Sequence, residues 1–312
     1  MMRMKGILIG AGVVGERILQ QAANSTSVEI VAMYDANTER LQEMSARYNV
    51  QTTSSLEELL EIEAEFAYIG TPPISHMFLT EGCAKRGLHV ICEKPLAHNE
   101  EEGKRMVEIA KEYGVKTAMH FPMIYGEEFL YVEKAIQQQE LGDVIQVELS
   151  TYFPQWPRPW QENNWIRTRE QGGFIREIFP HYLQMTERLF GEGSLQSHQT
   201  NYPQNPELCE QSVCALAQLP GNIPFVLQGA HGVAEQEQII YRIHGTKKTM
   251  TIRNWAELWV STPNQPEQRL TLQKSNISFL DEVSLYFQGK GSNYVSFEEG
   301  ASVQHIIDSL LK

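Results

Sequence analysis

The sequence has few cysteines, no long hydrophobic run and fewer basic than acidic residues. Its 312 residues contain four cysteines, Cys83, Cys92, Cys209 and Cys214. They are too few and too scattered for a disulfide scaffold, and their usage indicates a reducing, cytoplasmic location. Lys and Arg total 26 against 39 Asp and Glu, which gives a formal net charge of −13. Such a chain repels phosphate backbones, so no nucleic-acid partner is expected.

Membrane and metal signals are also missing. No segment approaches the ~20 apolar residues that cross a bilayer, so we expect no membrane association. Arg3 and Lys5 precede an apolar stretch, but glycines interrupt that stretch and Glu16 with Arg17 ends it, which argues against a secretory signal. Cys209 and Cys214 have no second Cys/His pair at zinc spacing, and no metal site is predicted.

The strongest positive signal is a glycine-rich turn that follows the apolar run 7–9 and leads into a helical pattern over 14–21. In this pattern the first glycine permits a tight turn, and the second lets backbone approach a pyrophosphate. The third allows close packing of helix on strand, and the helix N-terminus holds the phosphate charge. The residues predicted to bind a dinucleotide here are Gly10, Ala11, Gly12, Val13, Val14 and Gly15.

An acidic residue completes this first unit. The second apolar run, 28–34, ends at Asp35, where a carboxylate can accept hydrogen bonds from a ribose 2′-hydroxyl. No arginine occurs at 36–38 to receive a 2′-phosphate, although Arg40 is near. The predicted cofactor is therefore NAD, with NADP as the alternative.

The order of predicted elements indicates two domains. Strands and helices alternate up to about residue 120, which predicts a doubly wound parallel sheet of the Rossmann type over residues 1–122. From residue 143 the hydrophobic period becomes two, and strands follow one another without crossover helices. Residues 123–312 are thus expected to form an α+β domain with a large, mostly antiparallel open sheet. Its final helix is expected at 303–311, with an apolar stripe docked onto the body.

A lysine follows the fifth predicted strand. Glu93-Lys94-Pro95 comes directly after the apolar segment 88–92. Ligands of open parallel sheets bind beyond the carboxyl ends of the strands, so Lys94 is expected on the cofactor side, where a substrate would lie. Taken alone, a Lys-Pro pair is more often a solvated turn.

Glu177 and His181 follow a diglycine, Gly172-Gly173, in the second half of the chain. On a helix, their spacing of four puts them on one face, where a carboxylate can orient an imidazole. Pro180 fits the first turn of a helix and not its interior, so the helix is expected to begin near residue 179. Taken without context, the spacing favours an ordinary surface pair.

Tryptophan and arginine crowd the segment before the diglycine. Trp156, Arg158, Trp160, Trp165 and Arg167 lie within twelve residues. Such a loop can stack on a sugar or ring and pair with anionic groups, or it can pack onto its own domain. The sequence leaves these two interpretations open.

These motifs together resemble the glucose–fructose oxidoreductase / inositol dehydrogenase / rhizopine-catabolism (Gfo/Idh/MocA) oxidoreductases. The resemblance covers nearly the whole chain. The segments that carry it are the glycine turn, Thr71-Pro72 with His76, the segment 87–97 (GLHVICEKPLA), 141–144 (LGDV) and 243–246 (IHGT). Glu177, Phe179 and Gln184 depart from the family's Asp, Gly and Asp, and its arginine after the sixth strand is missing from 121–125.

The resemblance implies reversible hydride transfer between nicotinamide and a carbinol or carbonyl carbon of a sugar, polyol or related molecule. It implies Lys94, His181 and Glu177 as catalytic residues, and a homodimer or homotetramer formed through the outer face of the second sheet. Additional cofactor-binding residues would be Thr71, Pro72, His76, Glu93 and Lys94. Substrate-binding residues would be Lys94, Trp160, Trp165, Arg167 and His181.

Two other functions remain compatible with the same residues. One is a non-catalytic sensor that binds a dinucleotide as a signal. The other is a lyase or glycosidase that uses NAD transiently.

Overall fold

The computed structural model describes residues 3–161, 163–273, 277–291 and 293–312. They form two compact units. The first runs to Phe121 and takes in Ile277–Gln304, and the second begins at Pro122 and takes in His305–Lys312.

The first unit contains a six-stranded parallel sheet in the order β3-β2-β1-β4-β5-β6. Its strands are β1 (Met4–Ile9), β2 (Val28–Tyr34), β3 (Gln51–Thr52), β4 (Phe66–Ile69), β5 (His89–Cys92) and β6 (Thr117–Met119). The strand order reverses between β1 and β4, and ligands of such sheets bind in the crevice beyond the strand ends at that point. The predicted Rossmann fold is confirmed.

Short-range signals set the helices of this unit. They are α1 (Val13–Asn24), α2 (Thr38–Tyr48), α3 (Leu56–Leu60), α4 (His76–Lys85) and α5 (Glu100–Tyr113). The side chains of Asn37, Ser55 and Asn99 accept hydrogen bonds from the first turns of α2, α3 and α5. Gly114, at φ +65°, ends α5.

The second unit contains an eight-stranded sheet in the order β14-β13-β12-β11-β7-β10-β9-β8. Its strands are β7 (Val144–Phe153), β8 (Ser194–Asn201), β9 (Ser212–Leu219), β10 (Ile223–His231), β11 (Gln238–Gly245), β12 (Thr249–Arg253), β13 (Glu257–Thr262) and β14 (Gln265–Arg269). β7 and β10 run parallel, and the other described pairs are antiparallel. The predicted large, mostly antiparallel sheet is confirmed.

Two helices of this unit follow α5: α6 (Glu127–Gln137) and α7 (Phe174–Phe190). α7 packs on one face of the sheet, where Tyr182 stacks on Tyr241 with ring centroids 5.7 Å apart. The expected start near residue 179 is wrong, because α7 begins at Phe174 and includes Pro180 in its interior. Pro180 removes one interior hydrogen bond, while at the first turn the N–H of Ile175 donates to the buried Glu210 carboxylate.

The chain returns to the first unit near its end. α8 (Phe279–Phe287) lies there, with Phe287 6.2 Å from Phe66 between ring centroids, and Asp281 accepts from the hydroxyls of Ser25 and Ser27. The expected division at 122/123 assigned this segment to the second domain. The apolar side of α8 is buried on the first sheet, and residues 277–304 group with the first unit.

The last helix, α9 (Phe297–Leu310), begins before the expected start at 303. The expected apolar stripe, Val303, Ile306, Ile307 and Leu310, is buried. None of the described helices is both long enough and apolar enough to cross a bilayer. The cytoplasmic location stays a prediction.

Candidate active site

The glycine turn joins β1 to α1 at the crevice of the first sheet. Gly10 has φ +94°, and a Cβ there would lie 2.8 Å from the carbonyl of Gly70 at the end of β4. A Cβ on Gly15 would overlap the carbonyl oxygen of Gly10. Both positions therefore require glycine for close approach of backbone, as the spacing predicted.

Gly12 has a different environment. A Cβ at Gly12 would meet no described protein atom within 4 Å, so packing within the chain does not account for a glycine there. Gly12 is also the N-cap of α1, and no side chain among the described residues caps that terminus. The free N–H groups of the first helical turn face an open cradle, which is the arrangement that accepts a phosphate. The residues present thus fit a dinucleotide pyrophosphate.

Asp35 lies beside this cradle. One carboxylate oxygen accepts from the backbone N–H of Ala11 at 2.6 Å, and the other accepts from Asn37 N–H at 2.7 Å. Each oxygen retains a further lone pair. The two backbone bonds fix the carboxylate at the end of β2, where it can meet a ribose hydroxyl.

Thr71 and Pro72 follow β4, and His76 opens α4. His76 is fully buried, with Nε2 2.8 Å from the carbonyl oxygen of Thr71. Its Nδ1 lies 3.1 Å from the carbonyl oxygens of Pro95 and Leu96. Burial lowers the pKa of His76. His76 therefore braces the loop after β4 against the loop that follows Lys94, and we expect any effect on cofactor to pass through these loops.

Glu93 belongs to a buried cluster of three side chains that come from neighbouring strand ends. One Glu93 oxygen accepts from the Tyr68 hydroxyl and lies 2.5 Å from Nδ1 of His120, and Tyr68 is 2.8 Å from the same nitrogen. Burial by itself raises the pKa of Glu93, but His120, Tyr68 and Lys94 outweigh it and lower that pKa to about 2.

Sequence reasoning missed two members of this cluster. Tyr68 is near the end of β4, Glu93 follows β5, and His120 follows β6. The sequence does place all three residues at or just after predicted strand ends, and the carboxyl ends of adjacent parallel strands meet at one edge of a sheet. The cluster holds the backbone of Lys94, whose N–H donates to Glu93 at 3.3 Å.

Lys94 itself is half-buried and follows β5 directly. The glycine turn follows β1, two strands away in the same parallel sheet. Because all six strands run in one direction, the lysine and the dinucleotide cradle lie at the same edge. The contact of Lys94 with cofactor and substrate stays a prediction.

The second unit carries the other proposed catalytic residues on α7. Glu177 and His181 are both half-buried. Glu177 accepts from the side-chain amide of Gln161 at 3.4 Å, and the His181 ring packs edge-on against Trp255 with centroids 5.3 Å apart. Glu177 and His181 therefore both lie within α7, whereas a helix that began near residue 179 would have left Glu177 outside it.

A buried carboxylate fixes the start of α7. Glu210 is completely buried and accepts from the N–H of Ile175 at 2.7 Å. Gly173 has φ +101°, and a Cβ there would overlap the Glu210 carboxylate. Burial raises the pKa of Glu210 to about 7 despite the backbone hydrogen bonds it accepts. Glu210 therefore explains both the second glycine and the early helix start, and no local sequence pattern indicated its role.

The tryptophan–arginine segment divides into a packed part and an exposed part. Trp156 donates to the carbonyl of Ile166 at 3.1 Å and contacts Phe153, with ring centroids 5.0 Å apart. Arg158 is buried and lies 4.6 Å from the ring centroid of Trp160, which is 55% exposed.

Trp165 is half-buried and Arg167 is exposed. Gln161 joins the segment to α7, since it accepts from Arg158 and donates to Glu177. Trp156 therefore packs within its own domain, whereas Trp160 and Arg167 face solvent, and their contact with a substrate stays a prediction. Within the described ranges, no group of three or more His, Cys, Asp or Glu side chains could hold a metal ion.

The chain is similar to known sugar and polyol dehydrogenases. It is 26% identical over 196 residues to scyllo-inositol 2-dehydrogenase (NADP(+)) IolW of Bacillus subtilis, covering 61% of this chain and 54% of that protein. It is 26% identical over 187 residues to inositol 2-dehydrogenase of Rhizobium meliloti, covering 59% and 54%. These matches span about half the length of the two relatives.

Comparison of structures extends over the whole chain. The crystal structure of the WlbA dehydrogenase from Bordetella pertussis in complex with NADH and UDP-GlcNAcA has a TM-score of 0.84. At 22% identity, the match covers 99% of this chain and 95% of that one, and it shows a shared fold.

Family profiles match most of the sequence. Residues 4–121 match the oxidoreductase family with an NAD-binding Rossmann fold, and residues 133–312 match its C-terminal α/β domain. With both domains matched, and with the motifs in the places that the fold requires, the chain belongs to the Gfo/Idh/MocA family of oxidoreductases.

Proposed function

We propose that this protein is an NAD(P)-dependent dehydrogenase that acts on a CH–OH group of a sugar, polyol or related small molecule. The observation that carries the proposal is the edge of the first sheet. There a helix N-terminus that no described side chain caps, and the Asp35 carboxylate held by backbone N–H groups, lie at the same sheet edge as Lys94. The first unit thus combines a dinucleotide cradle with a cation placed to meet substrate.

The chemistry divides between cofactor and protein. When bound, the nicotinamide supplies the hydride acceptor or donor. In the oxidative direction, the carbinol C–H bond breaks with loss of hydride, the O–H proton passes to His181, and a carbonyl forms. The Lys94 ammonium stabilises the alkoxide character that develops on the oxygen. His181 returns the proton in the reductive direction.

Glu177 has a positioning role in this proposal. It lies one helical turn before His181 and is itself held by Gln161. A carboxylate at this position favours one orientation of the imidazole and stabilises its protonated form. Glutamate in place of the family's usual aspartate is longer by one methylene, and the Gln161 contact restricts the longer side chain.

The relatives support the substrate class. IolW and the Rhizobium enzyme are named for inositols, and WlbA was crystallised with a nucleotide-linked sugar. A ring rich in hydroxyl groups suits the exposed face of Trp160 and the exposed guanidinium of Arg167. We therefore assign substrate contacts to Lys94, His181, Trp160, Trp165 and Arg167.

We expect NAD to bind more tightly than NADP. The charge of Asp35 would repel a 2′-phosphate, so Asp35→Ser and Asp35→Asn should each narrow the affinity gap by about tenfold, or about 1.4 kcal/mol. Asp35→Asn keeps the size of the side chain. Neither side chain can accept from both Ala11 N–H and Asn37 N–H as the two carboxylate oxygens do, because an amide and a hydroxyl each offer one acceptor oxygen, so both variants should also weaken NAD binding. The measurement is a pair of dissociation constants for each variant, and equal or tighter binding of NADP by the wild type would contradict the expectation.

Trp160 and Trp165 should contribute to substrate binding and not to the stability of the fold. Trp160→Ala and Trp165→Ala should raise KM while leaving the dissociation constant of NAD within about twofold. Trp156→Ala is the packing comparison and should cost about 3 kcal/mol of unfolding free energy. Kinetics and thermal melts of the three variants separate these roles. If Trp160→Ala and Trp165→Ala lower Tm and leave KM unchanged, the segment only packs.

A homo-oligomer is proposed through the outer face of the second sheet. On that face Leu216 is 41% exposed and pairs across the strands with Val226. The adjacent strands place Arg242 3.8 Å from Glu148. A row of apolar and paired charged residues is the mixed surface that association requires. Sedimentation of wild type and Leu216→Glu tests it, and an unchanged mass would refute it.

The direct test is a screen of inositols, aldoses and keto-sugars with NAD or NADH, following the absorbance of reduced nicotinamide. Turnover of at least one compound, with many equivalents of NADH formed per protein, supports a dehydrogenase. Tight NAD binding with no turnover on any compound favours a dinucleotide sensor. Bound NADH that forms without net reduction of added NAD favours a lyase or glycosidase.

A further inference from the structure

Two arginines next to the dinucleotide cradle are held by two glutamates. We call Glu16, Arg40, Glu43 and Arg47 the Arg40 cluster. Glu16 lies in the first turn of α1, and the other three residues lie on α2. One Glu16 oxygen accepts from Arg40 and the other from Arg47. Glu43 pairs with Arg40 at 2.8 Å and with Arg47 at 2.9 Å.

The cluster is connected to the Asp35 carboxylate through a single residue, Ala11. The N–H of Ala11 donates to Asp35 at 2.6 Å, and the carbonyl oxygen of Ala11 accepts from Nε of Arg40 at 2.9 Å. Arg40 is also in the first turn of α2, where its N–H donates to the Asn37 side chain. Arg40 is therefore fixed beside the place where a 2′-phosphate would lie.

Glu16 is the member that binds the two guanidinium groups from outside their own helix. Its side chain is 23% exposed, against 48% for Glu43. The Arg40 hydrogen bond, opposed by burial and helped by Arg47, lowers the pKa of Glu16, so the carboxylate stays ionised. The Glu43 pairs are short-range contacts along an exposed helix face, which contribute little.

The net charge of the Arg40 cluster and Asp35 decides how this region would interact with a 2′-phosphate. Two arginines would make a strong site for a phosphate, since guanidinium groups bind phosphate oxygens in pairs. Glu16 and Glu43 cancel both positive charges, and Asp35 leaves the neighbourhood with a net negative charge. An incoming phosphate dianion would have to displace Glu16 from Arg40 and Arg47 while facing Asp35.

We propose that Glu16 is a cofactor-specificity residue, which withholds Arg40 and Arg47 from a 2′-phosphate and so disfavours NADP independently of Asp35. The proposal rests on the proposed dinucleotide binding. It predicts that removal of one charge on α1 lets the site accept NADP while Asp35 remains in place. NAD binding should change little, because the pyrophosphate meets the backbone of the glycine turn.

The test compares dissociation constants of NADH and NADPH, measured by nicotinamide fluorescence, for wild type, Glu16→Gln and Glu39→Gln. Glu39→Gln is the matched control, since Glu39 is exposed in the same turn as Arg40 and the substitution changes the net charge equally. Glu16→Gln should tighten NADPH binding by about tenfold, the effect of one charge-assisted hydrogen bond, and change NADH by less than about twofold. Glu39→Gln should change both within about twofold.

A double variant tests whether Arg40 is the residue that binds the 2′-phosphate once the Glu16 charge is removed. Glu16→Gln with Arg40→Gln should lose the gain for NADPH. An unchanged NADPH constant in Glu16→Gln, or an equal gain in Glu39→Gln, would overturn the proposal. Thermal melts check that each variant is folded. If wild-type protein binds neither dinucleotide, the proposed function fails instead, and the two failures are distinct.

Discussion

Lys94→Ala should lower turnover by about 10²–10³-fold, the usual cost of losing one group that stabilises a developing oxyanion. The dissociation constant of NAD should stay within about threefold, because the glycine turn and Asp35 hold the cofactor without the lysine side chain. The fold should also persist, since the Glu93 contact at this position uses the Lys94 backbone N–H, which alanine retains. Steady-state kinetics and cofactor titration measure both effects.

Two variants control this result. Lys104→Ala removes an exposed lysine of α5 whose ammonium pairs with Glu100, and it should leave kcat unchanged. Lys94→Arg keeps the charge but not the compact ammonium, and it should recover part of the rate. A Lys94→Ala enzyme with wild-type kcat would contradict the catalytic role of Lys94. An equal loss of kcat in Lys104→Ala would contradict it too.

His181→Ala should cost about 10²–10⁴-fold in kcat, the usual share of a general acid or base. The variant should also lose the limb of the pH–rate profile that an imidazole produces, at about pH 6.5 for an ordinary histidine. In the oxidative direction the base must be neutral, so wild-type activity falls as pH drops through that limb. The measurement is kcat/KM against pH for both proteins.

His198→Ala, an exposed histidine on β8, is the matched control and should preserve rate and profile. Glu177→Gln should shift the limb and lower kcat less than His181→Ala, since Glu177 acts through the imidazole. Retention of the limb in His181→Ala would assign it to another group and remove His181 from the proton transfer.

Local signals were sufficient for much of the fold. Capping side chains at the first turn and apolar spacing within each segment account for α2, α3 and α5 without reference to the rest of the chain. β8 was not predicted. Its residues are mostly polar and exposed, and pairing with β9 at the sheet edge makes it a strand. α8 was also missed, because its apolar side is buried on strands far away in sequence.

The candidate site shows the same division. Gly10, Gly12, Gly15 and Asp35 were predicted because one βαβ unit contains the whole pattern. Clusters that draw on several elements were not found: Glu93 with Tyr68 and His120, and Glu210 beneath the diglycine. Each brings residues together through the sheet or the start of α7. Pro180 misled the prediction of α7 because local propensity takes no account of Glu210.

The central claim is hydride transfer between the substrate carbon and the nicotinamide, and isotope transfer tests it most directly. The best substrate from the screen, deuterated at its carbinol carbon, is incubated with NAD and the protein, and the reduced cofactor is examined by mass spectrometry. The account predicts one deuterium in each NADH, a slowed turnover relative to the undeuterated compound, and no label in water. Deuterium released to water, or product formed without labelled NADH, would contradict it.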